Sequence, residues 1–185
     1  MRINYESIVK DTDPILRNKS VPIDVPLSHK HTALAKRMLR YVKDSRDEEK
    51  AEKYQLRPAV GLAAPQVGEF VHIIMVMIDT EDDQPKSYLL ANPKIIAHSV
   101  QQAALKGGEG CLSVEIVHEG FVKRSARITV KAYDILSQQE VLLKEHGYAA
   151  IVIQHEIDHL NGILFYDRID ANNPWAMSEN MIVIE

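Results

Sequence analysis

The spacing of apolar positions changes several times along the chain, and each change marks an element. The first 26 residues hold no sustained period. Pro14, Pro22 and Pro26 break them into an irregular arm with short extended pieces. From Ser28 to about Lys53 the period is helical. Leu34, Ala35, Met38, Leu39 and Val42 recur at three- and four-residue spacing, and Lys, Arg, Asp and Glu fill most of the remainder, so one amphipathic helix is expected. Its tail, Ser45 to Lys53, is mostly charged and reads as a solvated end. Residues 70–78 (FVHIIMVMI) are an apolar run bounded by Gly68 and Asp79, the pattern of a buried strand. Short strands follow in SYLLANP, KIIAHSV and VQQAAL. In residues 125–134, Ile128, Val130 and Ala132 alternate with polar neighbours. The chain then turns into residues 140–147, which predicts a hairpin. Tyr148–Leu160 returns to a helical pattern, stopped by Asn161-Gly162. The final MIVIE is one more short strand. No repeat or linker interrupts this order. The expectation is a single α+β domain over residues 1–185, with antiparallel β-sheets surrounding a central helix, plus the N-terminal amphipathic helix.

Composition narrows the function classes. The chain has 185 residues, 45% of them apolar, enough for one domain with a sizeable core. Its net charge is −4, so the total offers no broad basic field, and DNA is not an expected partner. The N-terminus lacks the apolar segment of a signal peptide, and the longest apolar run, Ile73 to Ile78, is too short to span a membrane. A single cysteine, Cys111, excludes an internal disulfide framework. Together these features point to a cytoplasmic protein with no membrane partner.

Candidate chemistry centres on QHEIDHLNG (154–162). On a helix His155 and His159 lie one turn apart on one face and can grip one ion. Glu156 sits about 100° around the same turn, as in His-Glu-x-x-His sites where the glutamate is general base for a metal-activated water. The same spacing arises by chance on polar helix faces. Here, however, the flanking residues are apolar. Burying His, Glu, Asp and His together costs several kcal/mol unless they are paired or coordinated. Two histidines are an incomplete site, and the third ligand is a distant His, Asp or Glu, or Cys111. The other six histidines lack such companions and are expected at the surface or satisfied in the core. Cys111 lies in GGEGCLSVE (107–115), with glycines around Glu109. A lone buried cysteine is ordinarily a small hydrophobe. This setting, and the unfinished site, favour a thiolate ligand. Residues 58–68 (PAVGLAAPQVG) crowd small side chains together. They are either a loop packed on the sheet or a wall whose backbone pairs with an extended chain. Gln66 carries the one carboxamide there, and aimed at a reaction centre it could donate to a developing oxyanion.

Taken together, GLAAPQ (61–66), EGCLS (109–113) and QHEIDH (154–159) resemble the three signature motifs of the peptide deformylase family, in the family's order and across most of the chain. The long segment before GLAAPQ and the strand-like C-terminus are similar to the type II branch, typical of Gram-positive bacteria. The resemblance implies a metal-dependent hydrolase that removes the N-formyl group from the N-terminal methionine of new proteins and releases formate. It implies Cys111, His155 and His159 as metal ligands with water as the fourth, and Glu156 as acid and base. Gln66 and the backbone N–H of Leu112 would form the oxyanion hole. Val60, Gly61 and Gly110 would pair with the substrate backbone. Arg124 falls where a family arginine pairs with the glutamate of EGCLS, here Glu109. The implied ion is iron, Fe(2+), in the cell, with Ni(2+), Co(2+) or Zn(2+) as substitutes. The implied partners are N-formyl-methionyl nascent peptides and, transiently, the ribosome near the exit tunnel. Ala59 stands where many members carry glycine, at a position with no catalytic role.

Ile151 and Val152, one turn before His155, either line a pocket for the methionine side chain or form ordinary helix core. Asp158 is expected in a salt bridge rather than on the metal, because three ligands already fill the protein's share. A zinc endopeptidase or a non-catalytic metal-binding domain would share the two histidines. The first normally takes its third ligand downstream. The second needs a fourth protein ligand, and no second cysteine exists.

Overall fold

The computed structural model describes residues 2–80 and 85–185. Its first long element, α1 (His29–Ser45), buries Leu34, Ala35, Met38, Tyr41 and Val42 along one stripe. The Ser28 hydroxyl caps it by accepting from the His31 N–H at 3.2 Å. The single helix expected through Lys53 is in fact two. Asp47 leaves the helical conformation, and its carboxylate accepts from the Lys50 N–H at 3.1 Å to open α2 (Glu48–Tyr54). An aspartate satisfies the free amides of a helix start better than it serves a helix interior, so it divides the charged run. The N-terminal arm is also more turned than expected. It contains 3-10 turns at Tyr5–Ser7 and Pro14–Arg17, capped by the side chains of Asn4 and Asp13.

The main sheet has five antiparallel strands in the order β1 (Gly61–Ala63), β2 (Ile73–Ile78), β3 (Lys86–His98), β6 (Arg127–Asp134) and β7 (Gln139–His146). Every residue of β2 is buried, as its unbroken apolar run predicts. SYLLANP and KIIAHSV form one strand rather than two. The Asn92-Pro93 irregularity is absorbed by a register shift between Ala91 and Lys94, with Asn92 at φ 52. The Asn92 carboxamide donates to the Ile23 carbonyl at 2.7 Å and accepts from the Ile23 N–H at 2.9 Å, so the bulge is tied down.

A second, three-stranded sheet has the order β5 (Arg124–Ser125), β4 (Gln102–Leu105) and β8 (Ile182–Ile184). One pairing in this sheet is not antiparallel: β8 runs parallel to β4. Parallel neighbours need a crossover connection. The chain between them supplies one by passing through β5, β6, β7 and α3 (Gly147–Leu160).

Helix α3 lies between the two sheets. Ala150, Val152, Ile153 and Leu160 pack with Ile74, Val76, Leu90 and Val130 of the large sheet. Ile151 packs with Ala103, Ala126 and Ile184 on the other side. Each fully buried aliphatic side chain of this kind contributes about 1.5–3 kcal/mol. Helix α1 covers the opposite face of the large sheet, against Leu62, Ile73, Met75 and Leu89. The helix ends at Asn161-Gly162, as the sequence predicts. At Gly162 (φ 71) a Cβ would sit 2.6 Å from the Arg17 carbonyl carbon, so only glycine fits this approach.

Candidate active site

Three possible donors converge at the buried end of α3. One ligand atom each from Cys111, His155 and His159 lies within 4.8 Å of the others. The Cys111 Sγ is 3.3 Å from His159 Nε2. The helix supplies the histidines from one face, their ring centroids 5.0 Å apart. The EGCLS segment, which is neither helix nor strand, brings the cysteine to them.

Each imidazole differs in its surroundings. His155 Nδ1 donates to Glu109 Oε2 at 2.8 Å, which turns Nε2 towards the cysteine side. Its ring also stacks on Phe165. Burial opposes a charged His155, but Cys111 and Glu109 outweigh that opposition and raise its pKa well above the usual value. Burial, with His155 and Arg124 nearby, drives His159 well below the usual value and keeps it neutral. Its Nδ1 is buried without a partner. A sulfur and two imidazole nitrogens this close together form a donor set that suits iron, nickel, cobalt or zinc.

Glu109 is itself held from behind. Arg124 donates to it through Nε at 2.6 Å and Nη2 at 2.9 Å. Burial raises the Glu109 pKa, yet Arg124 and His155 reverse this and lower it to about 2. Arg124 Nη1 also donates to Asp158 at 2.8 Å, and Arg168 pairs with Asp158 through two bonds of 2.6 Å. Asp158 therefore sits in a salt-bridge network off the donor cluster. Neither the Glu109–His155 contact nor Arg168 is visible in the sequence pattern. The glycines around a buried glutamate were the only signal.

Gln66 lies beside the cluster. Its Oε1 accepts from the Ala63 N–H at 2.9 Å, and its Nε2 donates to Ser113 Oγ at 3.2 Å and lies 3.4 Å from Cys111 Sγ. The N-terminal arm fixes both neighbouring segments. The Val9 N–H donates to the Gln66 carbonyl, the Asp11 N–H to the Ser113 carbonyl, and Lys10 Nζ to the Leu112 carbonyl. No local period of the arm announces these contacts.

A cleft of about 910 Å³ opens onto these groups. Val60, Gly61, Gly110, Leu112, Ile151 and Val152 all border it, together with Gln66, Cys111, His155 and Glu156. Ile151 and Val152 are at once core residues and cleft lining. His118, expected to be unremarkable, also borders the cleft and stacks on Tyr166 at 4.2 Å. Gly110 faces open space, so its missing side chain leaves room rather than relieving a clash.

Glu156 is almost fully buried against β1. A Cβ on Gly61 would lie 2.8 Å from Glu156 Cδ and closer still to Oε1. Its other oxygen, Oε2, has no hydrogen-bond partner. Burial raises its pKa to about 7, against the pull of His155 and Arg124. A carboxyl group near neutrality, bordering the same cleft as Cys111 and His155, is suited to taking and returning a proton. Among the described residues, no helix is long and apolar enough to cross a membrane.

Known proteins share this arrangement. A family model described as polypeptide deformylase matches residues 5–175. A peptide deformylase of Oceanobacillus iheyensis is 48% identical, with 99% of this chain and 100% of that protein covered. Peptide deformylase 2 of Bacillus cereus is 46% identical, with 99% of each covered. A probable peptide deformylase from Synechococcus phage S-SSM7 superposes with a TM-score of 0.71 at 34% identity, covering 88% of this chain and 98% of that one. With matches of this extent, the chain belongs to the peptide deformylase family, metal-dependent hydrolases that remove the N-formyl group from nascent peptides.

Proposed function

We propose that this chain performs its deformylation with Cys111, His155 and His159 holding Fe(2+), Glu156 moving the proton, and Gln66 with the Leu112 N–H receiving the oxyanion. The observation that carries this reading is the buried Glu156 carboxylate, with one free oxygen, on the helix turn that presents the donor cluster. An ion bound there supplies Lewis acidity towards the formyl carbonyl and the attacking water. Glu156 accepts the water's proton. As negative charge grows on the formyl oxygen, Gln66 Nε2 and the Leu112 N–H donate to it. Each such donor contributes on the order of 10²–10³ in rate. Glu156 then delivers its proton to the departing amine, leaving formate and a free N-terminal methionine. The rigid hold on Gln66 by Ala63 and Ser113 supports its place, since a preorganised donor loses nothing to reorientation.

Val60, Gly61 and Gly110 would pair with the substrate backbone along the cleft, with Ile151 and Val152 beside the methionine side chain. All of residues 1–185 would serve one catalytic unit of the type II branch. It would work in the cytoplasm on formyl-methionyl chains, in transient contact with the ribosome near the exit tunnel. Ni(2+), Co(2+) or Zn(2+) would substitute for iron.

The test is formate release from formyl-Met-Ala-Ser by Glu156→Ala and Cys111→Ser variants, with metal counted in each. Glu156→Ala is expected to keep its metal and lose about 10²–10⁴ in turnover. Cys111→Ser is expected to lose or change its metal. Substantial activity in the first, or unchanged metal in the second, refutes the assignments.

A further inference from the structure

A chain of net charge −4 concentrates cations on one side. Residues Val130, Ala132, Val141 and Leu143 of β6 and β7 point towards α3. Their alternates point the other way, onto the face that α1 covers over β1 and β2. Past α1 that face is bare, because no residue of β7 and none of Arg127, Thr129 or Lys131 belongs to the α1 core. It presents Arg127, Thr129 and Lys131 from β6, and Leu142, Lys144, His146 and one carboxylate, Glu140, from β7. Lys94 of β3 joins them through its register with Lys131. Lys94, Arg127, Lys131, Lys144 and His146 are all exposed.

These cations are poorly neutralised. Among the described residues, Lys94, Arg127 and Lys144 form no ion pair. Lys131 has only a loose 3.4 Å contact with Glu140, both side chains largely in solvent. Lys94 stands directly across from Lys131. Like charges facing each other across a ladder destabilise a sheet. An anion lying over them removes that cost. Beside them is a shallow depression of about 400 Å³, bordered by Ser99, Arg127, Thr129, Lys144 and His146 and also by Glu145, whose carboxylate is paired with Lys86.

We infer that this bare sheet face forms a docking surface for the phosphate backbone of RNA. The choice of RNA rests on the chain's action on nascent peptides, which are made beside RNA. The charge array stands independently of it. Successive outward residues on a strand lie about 7 Å apart and neighbouring strands about 4.8 Å apart, so the cations form a lattice rather than a point. Lipid is the weaker fit. Ile96 and Leu142 are the only large apolar side chains exposed on these three strands, and no exposed aromatic ring is available to insert. Because α3 lies on the other face of the sheet, docking here leaves the catalytic cleft open to a peptide.

The test uses the metal-loaded protein and a fluorescein-labelled RNA duplex, read by anisotropy from about 50 to 200 mM salt. Wild type is expected to bind with strong salt dependence. Lys94→Gln/Lys131→Gln/Lys144→Gln is expected to bind at least about tenfold more weakly, with a log–log salt slope shallower by roughly three. The corresponding glutamate triple is expected to abolish binding. Both variants should release formate from formyl-Met-Ala-Ser at the wild-type rate, which reports folding and keeps this test separate from the catalytic assignments. The proposal is overturned by no wild-type binding at low salt, by equal binding of wild type and both triples, or by binding to phosphatidylglycerol vesicles but not to RNA.

Discussion

Replacing Gly61 by alanine perturbs the catalytic carboxylate without touching any donor of the metal cluster. The added methyl would meet Glu156 Cγ at 3.0 Å, Cδ at 2.8 Å and Oε1 closer still. Carbon atoms prefer about 3.5–4.0 Å, so the Glu156 side chain must retreat by roughly 1 Å. The obstructing atoms belong to the end of a side chain, not to backbone. The fold can therefore accommodate the methyl by moving Glu156, and the effect on stability should stay within about 1 kcal/mol. Catalysis has no such tolerance, because a 1 Å misplacement of a reacting group costs on the order of 10²-fold. The expected result is a kcat for formyl-Met-Ala-Ser lower by about 10², a smaller change in KM, full metal content and a Tm near wild type. A kcat within about threefold of wild type would mean that the position of Glu156 against β1 does not matter, and the role given to it would fall.

Three further outcomes follow from the same geometry. Arg124→Leu leaves the buried carboxylate of Glu109 with His155 alone and that of Asp158 with Arg168 alone, so it should destabilise by about 3–5 kcal/mol, seen as a large drop in denaturant midpoint; an unchanged midpoint would refute the network's role. Glu109→Gln keeps the shape but weakens the acceptor for His155 Nδ1, and metal affinity by chelator competition should fall about 10–100-fold; an equal affinity would show that His155 orients itself. Tyr88 donates to Glu145 at 2.5 Å, and burial followed by Glu145 raises its pKa from 10.0 to about 12. A raised folded pKa gives stability that is present below the unfolded value and lost as pH rises through the folded one. The stability advantage of wild type over Tyr88→Phe should therefore be constant below pH 10.0 and shrink towards about 12; an advantage that grows over that range would contradict it.

What could be read from sequence was local. His155, Glu156 and His159 share one stretch of helix, and the 3.6-residue period places them without any tertiary information. Arg124 beside Glu109 was reached through family resemblance, not through spacing, since fifteen residues of irregular chain separate the two. The split between α1 and α2 was hidden because Asp47 sits in a run of charges, where a cap looks like one more solvated residue. The Asn92 bulge was hidden for the opposite reason. Asn-Pro signals a break, but the strand continues because Ile23, far away in sequence, satisfies the Asn92 carboxamide. The parallel β4–β8 pair and the N-terminal arm's grip on Gln66 and Leu112 depend on contacts between distant segments, which no local period encodes. The basic sheet face escaped for a further reason. Its lysines stand one to a strand on three strands, so neither net charge nor any cationic run announces them.

The central claim is that formyl hydrolysis runs on an ion held by Cys111, His155 and His159. The most direct measurement is formate release from formyl-Met-Ala-Ser by anaerobically purified protein, followed through chelation and stepwise return of Fe(2+), with metal counted at each point. Activity is predicted to vanish with the metal and to return in proportion up to one ion per chain. Full activity in metal-free protein, or internal cleavage of an unblocked peptide with no formate released, would contradict it.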